Sequence, residues 1–140
     1  MKPNARAYAV FIALALVVAA CGGATGGGDG GAADGGGATS VTVTGTEFAF
    51  DPVGVTVPAD TNVTVTFENG GTIEHEWTVL NTRISSEAEF SEDMVLLRLV
   101  APGGGSDSGT LNLPAGEYQV VCAIPGHFDA GMEGTLTVSG

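Results

Sequence analysis

Three side chains with metal-ligand chemistry recur at equal spacing near the C-terminus. Cys122, His127 and Met132 form a Cys-x4-His-x4-Met pattern. The pattern follows the β-rich run Tyr118 to Val121, bends at Pro125-Gly126 and leads into a strand at Gly134. A thiolate, imidazoles and a weak axial thioether form a trigonal set that suits copper, because sulfur favours Cu(I) and nitrogen tolerates Cu(II). We therefore predict a copper-binding loop that still needs a second imidazole.

The second imidazole can come from one residue only, because the chain contains two histidines. His75 lies between the turn at 69–71 and a strand from Trp77 to Leu80, 47 residues before Cys122. We expect it to lie on an adjacent strand of the opposite sheet. Four protein ligands would leave no open position for a substrate, so the pattern predicts an electron carrier and not an enzyme. One cysteine and two histidines in this region are also too few for a dinuclear copper centre or a multicopper oxidase.

The elements that must position these ligands are short strands. Residues 41–140 are rich in Val and Thr that alternate with period two, which is typical of half-buried strands. The predicted strands are 41–44, 47–50, 53–57, 63–67, 76–80, 94–100, 110–113, 117–122 and 134–138, with Met94 as a core residue. Short strands at this spacing predict an all-β sandwich. Residues 81–93 are either a helical turn or a long loop between the two sheets.

The N-terminus has the composition of an export signal. Lys2 and Arg6 precede an apolar stretch from Tyr8 to Ala20 that is too short for a transmembrane helix. Val18-Ala19-Ala20-Cys21 resembles the lipobox of bacterial lipoproteins, in which the cysteine carries lipid. We predict a signal peptide over 1–20, a lipidated Cys21 with a Gly-rich flexible tether over 21–40, and a folded domain over 41–140. An ordinary cleavable signal is the alternative.

Export also bears on the second cysteine. The oxidising compartment outside the cytoplasm favours disulfides, so Cys21 could pair with Cys122. Lipidation of Cys21 would leave Cys122 as a solitary thiol, which a ligand role explains. The expected location is the outer face of the cytoplasmic membrane or the periplasm, with membrane contact through the lipid anchor only.

The part of the chain after Cys21 is strongly acidic. It contains all 16 acidic residues but only two basic ones, Arg83 and Arg98, so its formal charge is 2 minus 16, or −14. Such a charge repels nucleic acid and could steer basic partners at low salt. We interpret the paired carboxylates as a solvated surface, not as a calcium or acid-base site: Glu74 with Glu76, Glu87 with Glu89, and Glu92 with Asp93.

Nearly all of residues 41–140 resembles the cupredoxins, or blue copper proteins, especially plastocyanin, auracyanin and rusticyanin. The resemblance is carried by Asn69, His75, Trp77, Cys122, His127, the run Gly131-Met132-Glu133-Gly134, and the run from Glu47 to Pro52. It implies a Greek-key sandwich of about eight strands. It also implies a type 1 copper ion bound by His75, Cys122, His127 and Met132, with electron transfer as the activity. We further expect a monomer that serves a redox protein such as a cytochrome, an oxidase or a reductase, and the sequence does not identify which.

Two positions depart from the family pattern. Many cupredoxins carry an asparagine after the first histidine that bonds a polar residue after the cysteine, but here these positions are Glu76 and Ala123. We expect that tie to be absent or replaced. We expect Trp77 to pack in the core, and Phe128 to form an apolar rim around His127 with Ile124, Pro125 and Ala130. The functional alternatives are a Cu(I) chaperone or scavenger, and a metal-free adhesion sandwich.

Overall fold

The computed structural model describes residues 39–140 and contains nine strands. Within this range no helix is both long and apolar enough to cross a bilayer. The strands are β1 Ser40–Thr46, β2 Ala49–Asp51, β3 Gly54–Pro58, β4 Val63–Asn69, β5 His75–Leu80, β6 Val95–Ala101, β7 Ser106–Leu111, β8 Gly116–Val121 and β9 Glu133–Ser139.

The strands form two sheets. One sheet has four strands in the order β2-β1-β4-β7, and the other has five in the order β3-β9-β8-β5-β6. The pairs β1/β4 and β3/β9 are parallel, and the remaining pairs are antiparallel. The predicted Greek-key β-sandwich is confirmed, with nine strands in place of about eight.

Alternation along the strands builds the core between the sheets. In β4, Val63, Val65 and Phe67 are buried, whereas Thr64 and Glu68 face outward. Trp77 is buried in the same core, as predicted, and so is Cys122. Because successive strand residues point to opposite faces, one-residue alternation is sufficient to assign the inner face of each sheet.

The structure corrects several predicted element positions. β7 begins at Ser106, earlier than the predicted Thr110, because its polar first residues lie on an edge strand without an apolar alternation. Met94, predicted as a core residue of a strand, instead ends a 3₁₀ turn, Glu92–Met94. It packs half-buried against a small second cluster, formed by Leu80, Ile84 and Val121. Residues 81–93 contain this turn and a second one, Glu87–Glu89. They link β5 to β6 within one sheet, so the helical-turn alternative fits and the alternative of a long loop between the two sheets was wrong.

Candidate metal centre

All four predicted ligands lie at one end of the five-stranded sheet. His75 is the first residue of β5, Cys122 follows the last residue of β8, and Met132 precedes the first residue of β9. Because β9, β8 and β5 are neighbours, the ligand loop from 122 to 132 closes over the start of β5. The prediction that His75 lies on the opposite sheet was therefore wrong: its strand pairs directly with the strand that leads to Cys122.

The ligand loop is closed by its own backbone. The Cys122 N–H donates to the Met132 carbonyl at 3.1 Å, and the Met132 N–H donates to the His127 carbonyl at 3.0 Å. Gly126 and Gly131 have φ values of 87° and 98°, a region that favours glycine. These bonds and turns place three side chains on one side of a short loop.

Three donor atoms converge inside the loop. His75 Nδ1 lies 3.2 Å from His127 Nδ1, which lies 3.2 Å from Cys122 Sγ. The candidate ligand atoms of these residues all lie within 4.8 Å of one another, and all three residues are buried. Lone pairs crowded in this way away from water are stable only if a proton or a metal ion is shared among them.

Burial sets the charge states of two of these groups. It lowers the pKa of His75, and repulsion from His127 lowers it further, so the His75 ring is neutral near pH 7 and offers a lone pair. Burial raises the pKa of the Cys122 thiol, and only a bound cation would make the thiolate the stable form at neutral pH.

Met132 is fully buried in the same core cluster as Cys122. Its methyl carbon lies 3.4 Å from the position that a Cβ would occupy at Gly45. The side chain is therefore held between the ligand loop and β1. Its role as the axial ligand stays a prediction.

The Cys122 sulfur accepts a hydrogen bond from the backbone N–H of Glu76 at 3.3 Å. The Glu76 carboxylate turns toward β6, where it lies 3.4 Å from Arg98 Nε. Many cupredoxins have a hydrogen bond between the side chains that follow the first histidine and the cysteine, which here are Glu76 and Ala123. In this protein the Glu76 side chain instead forms an ion pair with Arg98 on the neighbouring strand.

Glu87 holds the ligand loop from outside. Its carboxylate accepts hydrogen bonds from the Gly126 N–H at 2.7 and 3.0 Å and from the Asp129 N–H at 3.3 Å. These bonds, with Gly126 first, lower the pKa of Glu87. The sequence pattern indicates Glu87 only as part of a solvated acidic surface. The side chain is partly exposed but also bonds the ligand loop, a contact that a separation of 39 residues along the chain does not indicate.

An aromatic ring covers the two histidines, and it is not the predicted one. Phe48 lies edge-on to His127, with ring centroids 4.9 Å apart, and to His75 at 6.2 Å. Its side chain remains partly exposed. Phe128 instead packs against the small second cluster and borders a cavity of about 180 Å³ next to Cys122. Phe48 was predicted only as a strand residue, but it lies in the turn between β1 and β2.

The donor set fits copper: two imidazole nitrogens and one thiol converge, with a buried thioether in the same loop. Residues 37–139 match the family described as copper-binding proteins of the plastocyanin/azurin family. The chain belongs to this family. As a cupredoxin it takes one copper ion as its cofactor, which confirms the predicted cofactor.

Individual relatives agree with this assignment. The copper-resistant cuproprotein CopI of Rubrivivax gelatinosus is 36% identical over 98 residues, which cover 64% of this chain and 59% of CopI. Auracyanin-A of Chloroflexus aurantiacus is 32% identical over 154 residues. This match covers 94% of this chain and 94% of auracyanin-A. A dithionite-reduced auracyanin from Roseiflexus castenholzii superposes with a TM-score of 0.67 at 25% identity, covering 75% of this chain and all of that one.

The predictions for the N-terminus, namely the signal over 1–20, the lipidated Cys21 and most of the tether over 21–40, lie outside the described residues. The proposed boundary of the folded domain at residue 41 stays a prediction.

Proposed function

We propose that this cupredoxin is a one-electron carrier whose copper ion is bound by His75 Nδ1, His127 Nδ1, the Cys122 thiolate and the Met132 sulfur. The observation that supports it best is the convergence of three buried donor atoms within 4.8 Å at one sheet end. Copper in such a site supplies a reversible change between Cu(I) and Cu(II).

The surrounding residues favour electron transfer over substrate chemistry. His75 starts β5, Cys122 directly follows β8, and the loop between Cys122 and Met132 is closed by its own hydrogen bonds. Ligands held in this way change position little when the ion changes valence. Four ligands leave no open position, and burial keeps water from the sulfur.

The relatives support the same activity. A solved auracyanin A, 26% identical with a TM-score of 0.60, is described as a "blue" copper protein. The auracyanin of Roseiflexus was solved in a reduced form. Both facts belong to those proteins, and they motivate the expectation of a blue, reducible site here.

We place the carrier outside the cytoplasm, as a monomer tethered by lipid on Cys21 and serving a cytochrome, an oxidase or a reductase. The support is the lipobox-like run before Cys21 and the Gly-rich segment after it. Its acidic surface argues against nucleic acid as a partner. Mass spectrometry of the membrane fraction tests the tether, because lipidation adds a diacylglycerol mass at Cys21 that Cys21→Ser removes.

A second candidate is a Cu(I) chaperone or scavenger, and the similarity to a copper-resistant cuproprotein favours it. The chain spans 59% of that relative, so the activity of the whole relative does not transfer by similarity alone.

One paired experiment separates the candidates. A carrier gives a reversible potentiometric titration and fast self-exchange, and it keeps its ion in the presence of a competing apo-protein. A chaperone gives up Cu(I) to that acceptor within the mixing time and cycles poorly. Rapid loss of copper together with irreversible cycling would contradict the carrier function.

A further inference from the structure

Glu47 occupies the turn between β1 and β2 and holds the segment that leads into His75. Its Oε1 accepts hydrogen bonds from the Thr72 N–H at 2.5 Å, the Thr72 hydroxyl at 3.0 Å and the Ile73 N–H at 3.2 Å. The carboxylate is seated against Gly71, where a Cβ would lie 2.7 Å from it. The glycine thus leaves the room that the carboxylate takes, and the acid has a defined position.

The same carboxylate faces the far side of the His75 ring. His75 is fully buried, and among the described residues its Nε2 has no hydrogen-bond partner. Glu47 Oε1 lies 4.0 Å from that nitrogen. This distance is within reach of charge attraction but beyond a hydrogen bond.

Metal binding through Nδ1 of His75 gives the carboxylate near its Nε2 a chemical role. An imidazole that gives the Nδ1 lone pair to a metal carries its proton on Nε2, and the group that faces this N–H fixes the tautomer and the basicity of the ring. Negative charge near the N–H makes the ring a better donor and favours the more highly charged ion.

We propose that Glu47 is a positioning residue that orients His75 through its Nε2–H and lowers the reduction potential of the copper site by its charge. The inference rests on the proposed function, because it takes His75 Nδ1 as a ligand. A merely structural role, in which Glu47 anchors only Thr72 and Ile73, is the competing explanation.

Glu47→Gln separates the two roles, because the amide oxygen can still accept the backbone hydrogen bonds while the charge is lost. Glu117→Gln is the matched control. Glu117 lies near the start of β8, at the other end of the strand that leads to Cys122, and pairs with Arg83 at 3.3 Å. Both changes remove one negative charge from the full chain.

The first measurement is a potentiometric titration of the copper-loaded full-length protein and both variants at one pH and ionic strength. We expect Glu47→Gln to raise the midpoint potential clearly more than Glu117→Gln, with the visible band retained. Equal shifts in the two variants would overturn the role of Glu47. A wild-type protein that does not titrate reversibly would instead contradict the proposed function.

The second measurement needs no redox cycle and uses the wild-type protein together with Glu47→Gln. In nitrogen-15 spectra of the wild-type protein loaded with Cu(I) or Zn(II), we expect His75 to carry its proton on Nε2 in slow exchange with solvent. In Glu47→Gln that exchange should become faster. A proton on Nδ1, or an exchange rate equal in wild type and variant, would overturn the proposal.

Discussion

The Cys122 thiol decides the chemistry of the site at the scale of single residues. It is buried beside His127, and its sulfur accepts the Glu76 N–H. Burial stabilises the neutral thiol, whereas the backbone N–H and a nearby cation favour the thiolate. The residue is therefore a buried thiol and not an exposed, reactive cysteine, as its proposed role as a ligand requires.

This balance predicts proton release on metal uptake. Because the raised pKa keeps the Cys122 thiol protonated, binding Cu(I) at about pH 8 should release about one proton per ion. The lowered pKa of His75 means that this ring is already neutral and adds none. Calorimetry in buffers of different ionisation enthalpy measures the release. Binding without proton release would show that the thiolate exists before the metal arrives.

The candidate ligands could be selected from the sequence, because Cys122, His127 and Met132 share one loop and His75 is the one remaining histidine. The structure brings the donor atoms of His75, Cys122 and His127 together. The groups around them were not readable. Glu47, Phe48 and Glu87 come to the site from segments distant along the chain, and their roles depend on contacts that no local spacing records.

At the scale of elements, β1 supports the ligand loop because its backbone at Gly45 lies very close to Phe67 and Met132. A Cβ at Gly45 would lie 2.7 Å from the ring of Phe67, which is fully buried and cannot move aside. The same position faces the methyl group of Met132. The glycine thus allows β1 to lie against both the core and the loop.

We expect Gly45→Ala to destabilise the fold by about 1–3 kcal/mol, the usual cost of overpacking a core. The matched control is Gly54→Ala in β3, where the nearest atom to a Cβ is 3.9 Å away. Chemical denaturation of the metal-free proteins measures the free energy of unfolding of both variants and of the wild type. Equal stability of the two variants would mean that the approach of β1 to Phe67 is not a constraint.

The second element that supports the loop is the 3₁₀ turn that carries Glu87. We expect Glu87→Gln to speed copper loss to a chelator, because the Gly126 and Asp129 N–H groups lose a charged acceptor. Glu89→Gln is the control, since Glu89 lies in the same turn and bonds the Ser85 N–H instead. Equal rates of copper release from both variants would mean that the Glu87 carboxylate does not stabilise the ligand loop.

Strand positions were predictable where valine and threonine alternate, as in β1 and β4. They were misplaced where the strand is polar, as in β7. The pairing of β5 with β8 was missed because alternation identifies the inner face of a strand but not its sheet. Sheet membership depends on connections that the sequence does not encode locally.

At the scale of the whole molecule, an exposed aromatic ring lies over the histidines of a strongly acidic chain. Phe48 is 38% exposed and covers His127, which is the more exposed of the two histidines. Both arginines of the described residues are engaged by acids, Arg83 by Glu117 and Arg98 by Glu76 and Glu92. The other carboxylates of the described residues have no arginine partner, so they give the surface a negative electrostatic potential that attracts a basic partner.

We expect Phe48→Ser to slow electron exchange with a basic redox partner while the copper spectrum stays unchanged. Leu96→Ser is the control, because Leu96 on β6 is 42% exposed and similarly apolar. Stopped-flow rates at several salt concentrations measure both, and the wild-type rate should fall as salt rises. If both variants exchange like the wild type, the partner does not dock at Phe48.

The central claim is that His75, Cys122, His127 and Met132 together bind one copper ion. The direct measurement is the visible and electron spin resonance spectrum of the chain loaded with one equivalent of Cu(II). We predict an intense thiolate-to-copper band that Cys122→Ala abolishes, and a spin resonance signal with the small copper coupling of type 1 sites. A colourless Cu(II) complex, or a band that survives Cys122→Ala, would contradict the account.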